Sequence, residues 1–482
     1  MPSEEDQLRH DASSLYQFVD SIASFCGERS RAVTYLHATE RFFFYVRDLG
    51  EKTKAYLVSF PTARSKYLDV QTYRRKLSIL RAAWKVLHQF VKPATEADTL
   101  NLPSPLIDGL IRRFREIPTY SKVDFVIFHT DEFNYLQVRL SKLKRSIDRI
   151  ADIIPGASPF YAELGLIGIP YSQCSSLFMN CLIPHEMGHY VYADQEIHAK
   201  LLPKIESEIK RTTTFKAVRR SYLIKTIAAW AEELFCDLFA VLLVGPCYTL
   251  AYVELFDLVH ALDENGKLAA EEDLDSLTFY PAHPAHIVRI KHQVQLLDEL
   301  KWWPKTQTMN SHYVDVMKAS LTMPENSFKF RLLSNMPSLP GAKPVKSFQV
   351  IIPEIRKLLQ PIRTQIDVGV GEWSRLSKVI EEYLANGIVP STLYFGKNKK
   401  SLKMETPGIV PLLNASYKFY LDSMGSLLKR IDVSKDGGPA SVKARSKWAS
   451  KVEEWTMKAI EDNTLLASQQ GNGNASSFKK RN

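Results

Sequence analysis

Apolar residues recur at three- and four-residue spacing along most of this chain, the pattern of helices that bury one face. The repeat predicts helices over Ala12–Phe25, Ala32–Leu49 and Tyr73–Phe90 near the N-terminus. It returns over Ile351–Ile366, Trp373–Leu384, Leu412–Ile431 and Ala444–Leu466. Two short runs break the pattern. Val123–Phe128 is rich in β-branched and aromatic residues, and Phe160–Ile169 is largely apolar and ends at Pro170, so both predict strands. Between them, Asp131-Glu-Phe-Asn134 is expected to open a helix reaching about Ile153, with Leu140, Leu143, Ile147 and Ile150 on its apolar stripe. Thr214–Val244 predicts a long helix that carries Glu233 and Asp237.

The fold class expected is α+β, mostly α-helical, with a small β-sheet. The expected divisions are a helical region over 1–120, a core over 121–300, a Pro-dotted connector over 301–345, a second helical region over 346–466 and a disordered polar tail over 467–482. Leu238–Val253 is the most apolar run. Its 16 residues are interrupted by Gly245-Pro246, whereas a membrane span needs about 20. Two buried helices meeting at a turn are expected there, and no membrane partner.

The net charge of +10 is spread along the chain rather than gathered in one stretch. That describes a solvated basic surface, and nucleic acid is not an expected partner. The aromatic cluster Phe42-Phe-Phe-Tyr45 between Arg41 and Arg47 is read as a core seam rather than a stack for bases. Cys26, Cys174, Cys181, Cys236 and Cys247 are odd in number and include no C-x-x-C pair. With an acidic, polar start (Met-Pro-Ser-Glu-Glu-Asp), they predict reduced thiols in a cytoplasmic protein.

Chemistry enters at Cys181-Leu-Ile-Pro-His-Glu-Met-Gly-His-Tyr190. His185 and His189 are four apart, so one helix face presents both imidazoles to a single metal ion. Glu186 then lies beside a metal-bound water as candidate general base. Pro184 means that the helix either kinks there or restarts with the proline in its first turn. Downstream, Glu233 and Asp237 share one face of an apolar helix, where unpartnered carboxylates are costly. Glu233 is a candidate third ligand and Asp237 a candidate partner for a histidine ring N–H. Glu232 competes with Glu233, but its neighbour four residues on is Cys236, a poorer supporting group. A third stretch, Phe279-Tyr-Pro-Ala-His-Pro-Ala-His-Ile-Val-Arg289, offers His283, His286 and Tyr280 as candidates to stabilise an oxyanion.

Together these stretches resemble the gluzincin metallopeptidases, which combine H-E-x-x-H with a later E-x-x-x-D. The H-P-x-x-x-x-R element (His283, Pro284, Arg289) is similar to that of the HtpX-type family within the clan. The metzincin pattern does not fit, because Tyr192 and Gln195 stand where it needs glycine and histidine. The resemblance covers about residues 160–295 and departs from the HtpX type in having no convincing membrane span. It implies one Zn2+ per chain on His185, His189 and Glu233, with Glu186 activating water, Asp237 supporting His185, and His283 or Tyr280 near the reacting carbonyl. It also implies that the strand before the zinc helix, at Gly168 and Ile169, pairs with an extended substrate, with Arg289 as a further substrate-binding candidate.

The function expected is a zinc-dependent metalloendopeptidase acting on a peptide or protein substrate. The alternative is a non-catalytic, zinc-containing binding or regulatory protein on a gluzincin-like fold. Against it stands Glu186, a base that a purely structural site does not need.

Overall fold

The computed structural model describes residues 4–29, 37–59, 67–97, 103–130, 136–137, 141–158, 164–173, 176–212, 217–259, 278–279, 283–309, 311–323, 329–330, 342–395, 403–431, 447–448 and 450–466. In chain order the elements are α1 (Glu4–Arg29), α2 (His37–Val58), α3 (Tyr67–Ala97), α4 (Ser104–Arg115), β1 (Asp124–Thr130), β2 (Leu136–Gln137), α5 (Ser141–Ile153) and β3 (Leu164–Pro170). There follow α6 (Ile183–Asp194), α7 (Ile197–Thr212), α8 (Ala217–Val244), α9 (Pro246–Val259), β4 (Thr278–Phe279), α10 (His286–Glu299), α11 (Trp303–Thr306), α12 (His312–Thr322) and β5 (Lys329–Phe330). The chain ends with α13 (Ala342–Arg363), α14 (Val370–Ala385), β6 (Leu393–Phe395), β7 (Lys403–Glu405), α15 (Ile409–Ile431) and a last helix, α16, over 450–466. The protein is mostly helical with a small sheet.

Two compact units divide the chain. The first comprises Met1–Ser104 and Thr119–Ser175, the second Pro105–Pro118 and Ser176–Asn482. The core expected over 121–300 is therefore cut at Ser175. Its sheet belongs with the N-terminal helices, because β1 packs on α2 and α3, and α5 packs on α3.

In the first unit, Leu15, Val19 and Ile22 of α1 are buried, with Phe42, Phe43 and Val46 of α2 and Leu80, Trp84 and Leu87 of α3. The aromatic cluster is thus largely core; Phe44 alone of its phenylalanines is half-exposed. β1 and β3 run parallel, in register from Asp124 opposite Leu164 to Thr130 opposite Pro170. Both are buried along their whole length, as parallel strands generally are. Arg41 pairs with the buried Asp124.

Two expectations are corrected here. The helix expected from Asp131 starts at Ser141, since Leu136 and Gln137 pair antiparallel with Gly168 and Ile167 of β3. A pairing partner some thirty residues away in sequence overrides the local helical pattern. That same pairing makes β3 the central strand, in the order β1-β3-β2. Gly168 has Phe128 on one side and Leu136 on the other, and Ile169 pairs with His129. Gly168 does not offer the free edge that an added substrate strand requires.

The second unit is built around α8. Its C-terminal half, from Leu234, is apolar all round except for Asp237, and Trp230, Leu234, Phe235, Leu238, Phe239 and Val241 are fully buried. Helices α6, α7, α10 and α13 pack on it, as a helix hydrophobic all round requires. The α8–α9 corner turns at Gly245, whose φ of 72° suits a residue without Cβ. Asn414 of α15 clasps this corner. Its side-chain amide donates to the Val244 carbonyl at 2.8 Å and its Oδ1 accepts from the Cys247 N–H at 2.8 Å. The expected connector over 301–345 contains α11, α12 and β5, and β5 pairs in parallel with β4. Among the described residues, no helix is long and apolar enough to cross a membrane.

Candidate metal centre

Three helices of the second unit supply the site: α6 the histidines, α8 the carboxylates and α10 a guanidinium. A 3-10 turn, Met179–Leu182, leads into α6, which restarts with Pro184 in its first turn. The missing proline N–H costs nothing there, because the first N–H groups of a helix have no intrahelical acceptor. Ser176 Oγ accepts from the Met179 N–H at 3.3 Å, at the start of this turn.

Gly188 sets how closely α6 lies on α8. A Cβ at this position would stand 2.8 Å from Cys236 Cα and 3.1 Å from its Cβ. Backbone therefore meets backbone at this crossing. The short carboxylate side chains of α8 can reach rings that stand one residue after and three residues before the glycine.

The result is a convergent set of donors. His185 Nε2 lies 3.5 Å from Glu233 Oε2, and His189 Nε2 lies 3.7 Å from Glu233 Oε1. Each ring uses its other nitrogen elsewhere. His185 Nδ1 lies 3.0 Å from Asp237 Oδ1 and 3.2 Å from the Tyr248 hydroxyl, while His189 Nδ1 lies 3.0 Å from Glu232 Oε1. A carboxylate at Nδ1 holds that N–H and leaves the Nε2 lone pair free for a metal. Neighbouring ligand atoms around tetrahedral zinc stand about 3.4 Å apart, given metal–ligand bonds of ~2.1 Å. Each Nε2 stands near that spacing from one Glu233 oxygen, His185 from Oε2 and His189 from Oε1.

Cys236 offers a second possible donor set, because a nitrogen of His185, a nitrogen of His189 and the Cys236 sulfur lie within 4.8 Å of one another. We favour Glu233 as third donor. Both Nε2 atoms face its carboxylate, and each Nδ1 is engaged by another acid. Cys236 is pressed into the helix crossing, where burial pushes its thiol well above the usual range.

Charge argues for a cation as well. Glu186, Glu232, Glu233 and Asp237 surround two imidazoles, with Arg289 as the compensating guanidinium. Burial opposes a charge on His185, but hydrogen bonds to Asp237 and Glu233 outweigh it and hold the ring up at about 10. A cation held at Nε2 would take the place of that ring proton beside the same carboxylates. Burial pushes Glu186 above the usual carboxylate range, opposed by the His185, His189 and Arg289 charges. That is the direction a proton-accepting carboxylate needs in order to work near neutrality.

Asp237 is fully buried and receives several donors. Arg289 donates from Nε to Oδ2 and from Nη2 to Oδ1, both at 2.7 Å. The Tyr248 hydroxyl donates to Oδ1 at 2.5 Å. Burial works against the Asp237 charge, yet Arg289 and the hydrogen bonds hold the carboxyl well below its usual range. Arg289 also reaches Glu233 Oε2 from Nη1 at 3.1 Å and lies 4.8 Å from the centre of the Tyr252 ring. Arg289 is thus buried against two carboxylates and has no face left for substrate. The substrate-binding expectation for it is corrected to one of holding Glu233 and Asp237 in place.

His283 is half-exposed, with Nδ1 3.4 Å from Glu233 Oε2. His286 begins α10 and meets the Tyr252 hydroxyl at 2.6 Å. Tyr280 lies outside the described residues. The structure thus brings His185, Glu186, His189, Glu233, Asp237, Arg289 and His283 into one site, and leaves Gly168 and Ile169 in the other unit. Tyr248 and the ring-supporting role of Glu232 have no counterpart in the sequence reading. The one available signal was that Tyr248 and Tyr252 are four apart in an apolar helix, a pattern equally common in plain cores. No protein-family model matches this chain, and neither a curated protein nor a solved structure matches it.

Proposed function

We propose that the protein is a zinc-dependent metalloendopeptidase with a gluzincin-like centre. The observation that carries this reading is the facing of His185 Nε2 and His189 Nε2 onto the Glu233 carboxylate, while Asp237 and Glu232 hold their Nδ1 atoms. His185, His189 and Glu233 would hold the ion. When bound, zinc supplies Lewis acidity, bringing the pKa of its water to about 7 and polarising a carbonyl.

The remaining chemistry belongs to the chain. Glu186 takes the proton of the attacking water and delivers it to the leaving amine. Its place in the first turn of α6 puts it at the positive end of the helix dipole, which favours the anion that burial disfavours. His283, next to Glu233 and open to solvent on its other side, is placed to donate to the carbonyl oxygen as charge develops. Arg289 and Tyr248 fix Asp237, and Asp237 fixes the His185 ring.

The test uses wild type and Glu186→Gln with a broad peptide library and metal analysis. One zinc per chain in both proteins, with cleavage by wild type and a loss of about 10²–10⁴-fold in the variant, is the expected result. A chain that takes up no zinc would overturn the reading.

The nearness of Cys236 favours one second reading, a structural site of His185, His189 and Cys236 in a non-catalytic protein. Cobalt substitution separates the two. A thiolate-to-cobalt charge-transfer band in the near ultraviolet that Cys236→Ser abolishes would favour the structural site, and its absence the peptidase.

A further inference from the structure

All three nitrogens of the Arg289 guanidinium meet carboxylates. Nε and Nη2 donate to the two Asp237 oxygens, and Nη1 lies 3.1 Å from Glu233 Oε2. Hydrogen bonds to a guanidinium run in its plane. They resist sliding within that plane better than rocking out of it. What stands on the flat face is Tyr252 of α9, whose ring centre is 4.8 Å from Arg289 Cζ. Both side chains are buried.

Tyr252 is itself anchored. Its hydroxyl meets His286 Nδ1 at 2.6 Å, and the two rings stand 5.8 Å apart, centre to centre. His286 opens α10, three residues before Arg289. The tyrosine thus touches α10 at two points about one helical turn apart. Tyr248, four residues earlier on α9, donates to Asp237. One helix therefore turns two tyrosines to one ion pair, the first to its acid and the second to its base.

We propose that Tyr252 is a positioning residue for the third metal ligand: its ring, fixed by His286, keeps the Arg289 guanidinium flat against Glu233 and Asp237. The Glu233 oxygen that Arg289 holds, Oε2, lies 3.5 Å from His185 Nε2, and Oε1 lies 3.7 Å from His189 Nε2. A guanidinium that rocked would turn this carboxylate away from one ring or the other. A desolvated cation–π contact is worth a factor of about 10 or more in an equilibrium constant. The inference rests on the metal reading and adds the group that steadies its third donor.

The experiment is zinc titration of the full chain against a chromogenic chelator, with cobalt spectra alongside. It uses wild type, Tyr252→Phe and Tyr252→Leu, the last also combined with Arg289→Met. Tyr252→Leu should weaken zinc binding by about tenfold and alter the cobalt d–d bands. Tyr252→Phe keeps the ring and should stay within about threefold of wild type. In the Arg289→Met background the leucine should cost nothing further, because the ring then has no guanidinium to hold. A role in packing alone predicts the same loss in both backgrounds. That additivity, or wild-type affinity in Tyr252→Leu, overturns the inference and leaves the metal reading standing. Should Arg289→Met not fold, Arg289→Lys, which lacks the flat fork, replaces it under the same criterion. A wild-type chain that binds no zinc overturns both.

Discussion

Arg289 grips Asp237 with two parallel hydrogen bonds of 2.7 Å and sets its remaining nitrogen 3.1 Å from Glu233. One guanidinium thus ties the proposed third ligand to the acid that orients the first histidine. Arg289→Met should leave two buried carboxylates without their cation and lower the unfolding free energy by about 3–5 kcal/mol. Arg289→Lys keeps the charge but not the fork and should fall between the two. Urea unfolding of the three proteins checks this. Equal stability of wild type and Arg289→Met would show that the ion pair is not formed.

Gly188 faces Cys236 with no room for a side chain. Gly188→Ala should push α6 away from α8 at a cost of about 1–3 kcal/mol. It should also weaken metal binding, because the separation of the histidines from Glu233 widens. Thermal unfolding and zinc titration would be read together. A variant as stable as wild type and equally tight for zinc would refute the crossing described above.

Tyr248→Phe removes one hydroxyl from Asp237 and from the neighbourhood of His185, and keeps the ring that packs there. The fold should persist. Zinc affinity should drop by about 10–100-fold, the usual effect of losing a group that orients a metal ligand. Competition with a chromogenic chelator gives the number. An unchanged affinity would reduce Tyr248 to a packing residue.

Metal removal should destabilise the chain without unfolding it. Zinc at about 100 times its dissociation constant should add ~2.7 kcal/mol, provided that the unfolded chain does not bind it. Calorimetry with chelator and with zinc restored checks this, and Glu186→Gln should respond as wild type does. A melting temperature indifferent to zinc would count against the site.

The parts of this site that were legible in sequence are those written in one helix. His185 and His189, or Glu233 and Asp237, declare a shared face by spacing alone, and an apolar surrounding flags the acids as partnered. What could not be read is what depends on which helices meet. Arg289 looked like a group for substrate because a sequence does not say that α10 buries it against α8. Glu232 looked like a rival ligand because its partner, His189, stands 43 residues away. The same holds for the sheet, where Leu136 and Gln137 carry no local strand signal and are fixed by β3. Pro184 left two readings of α6, and the 3-10 turn before it decides for a restarted helix.

The contact between Gly188 and Cys236 bears on how the site acquires its ion. The helices that carry the proposed donors are in backbone contact, so capture of an ion would require side-chain adjustment rather than helix movement. Little backbone ordering would then accompany capture, and affinity would be gained by preorganisation. Exchange should then be governed by how the ion reaches the pocket rather than by how the helices rearrange. A centre of this kind would act as a mould whose walls are set by the helix crossing rather than by the ion.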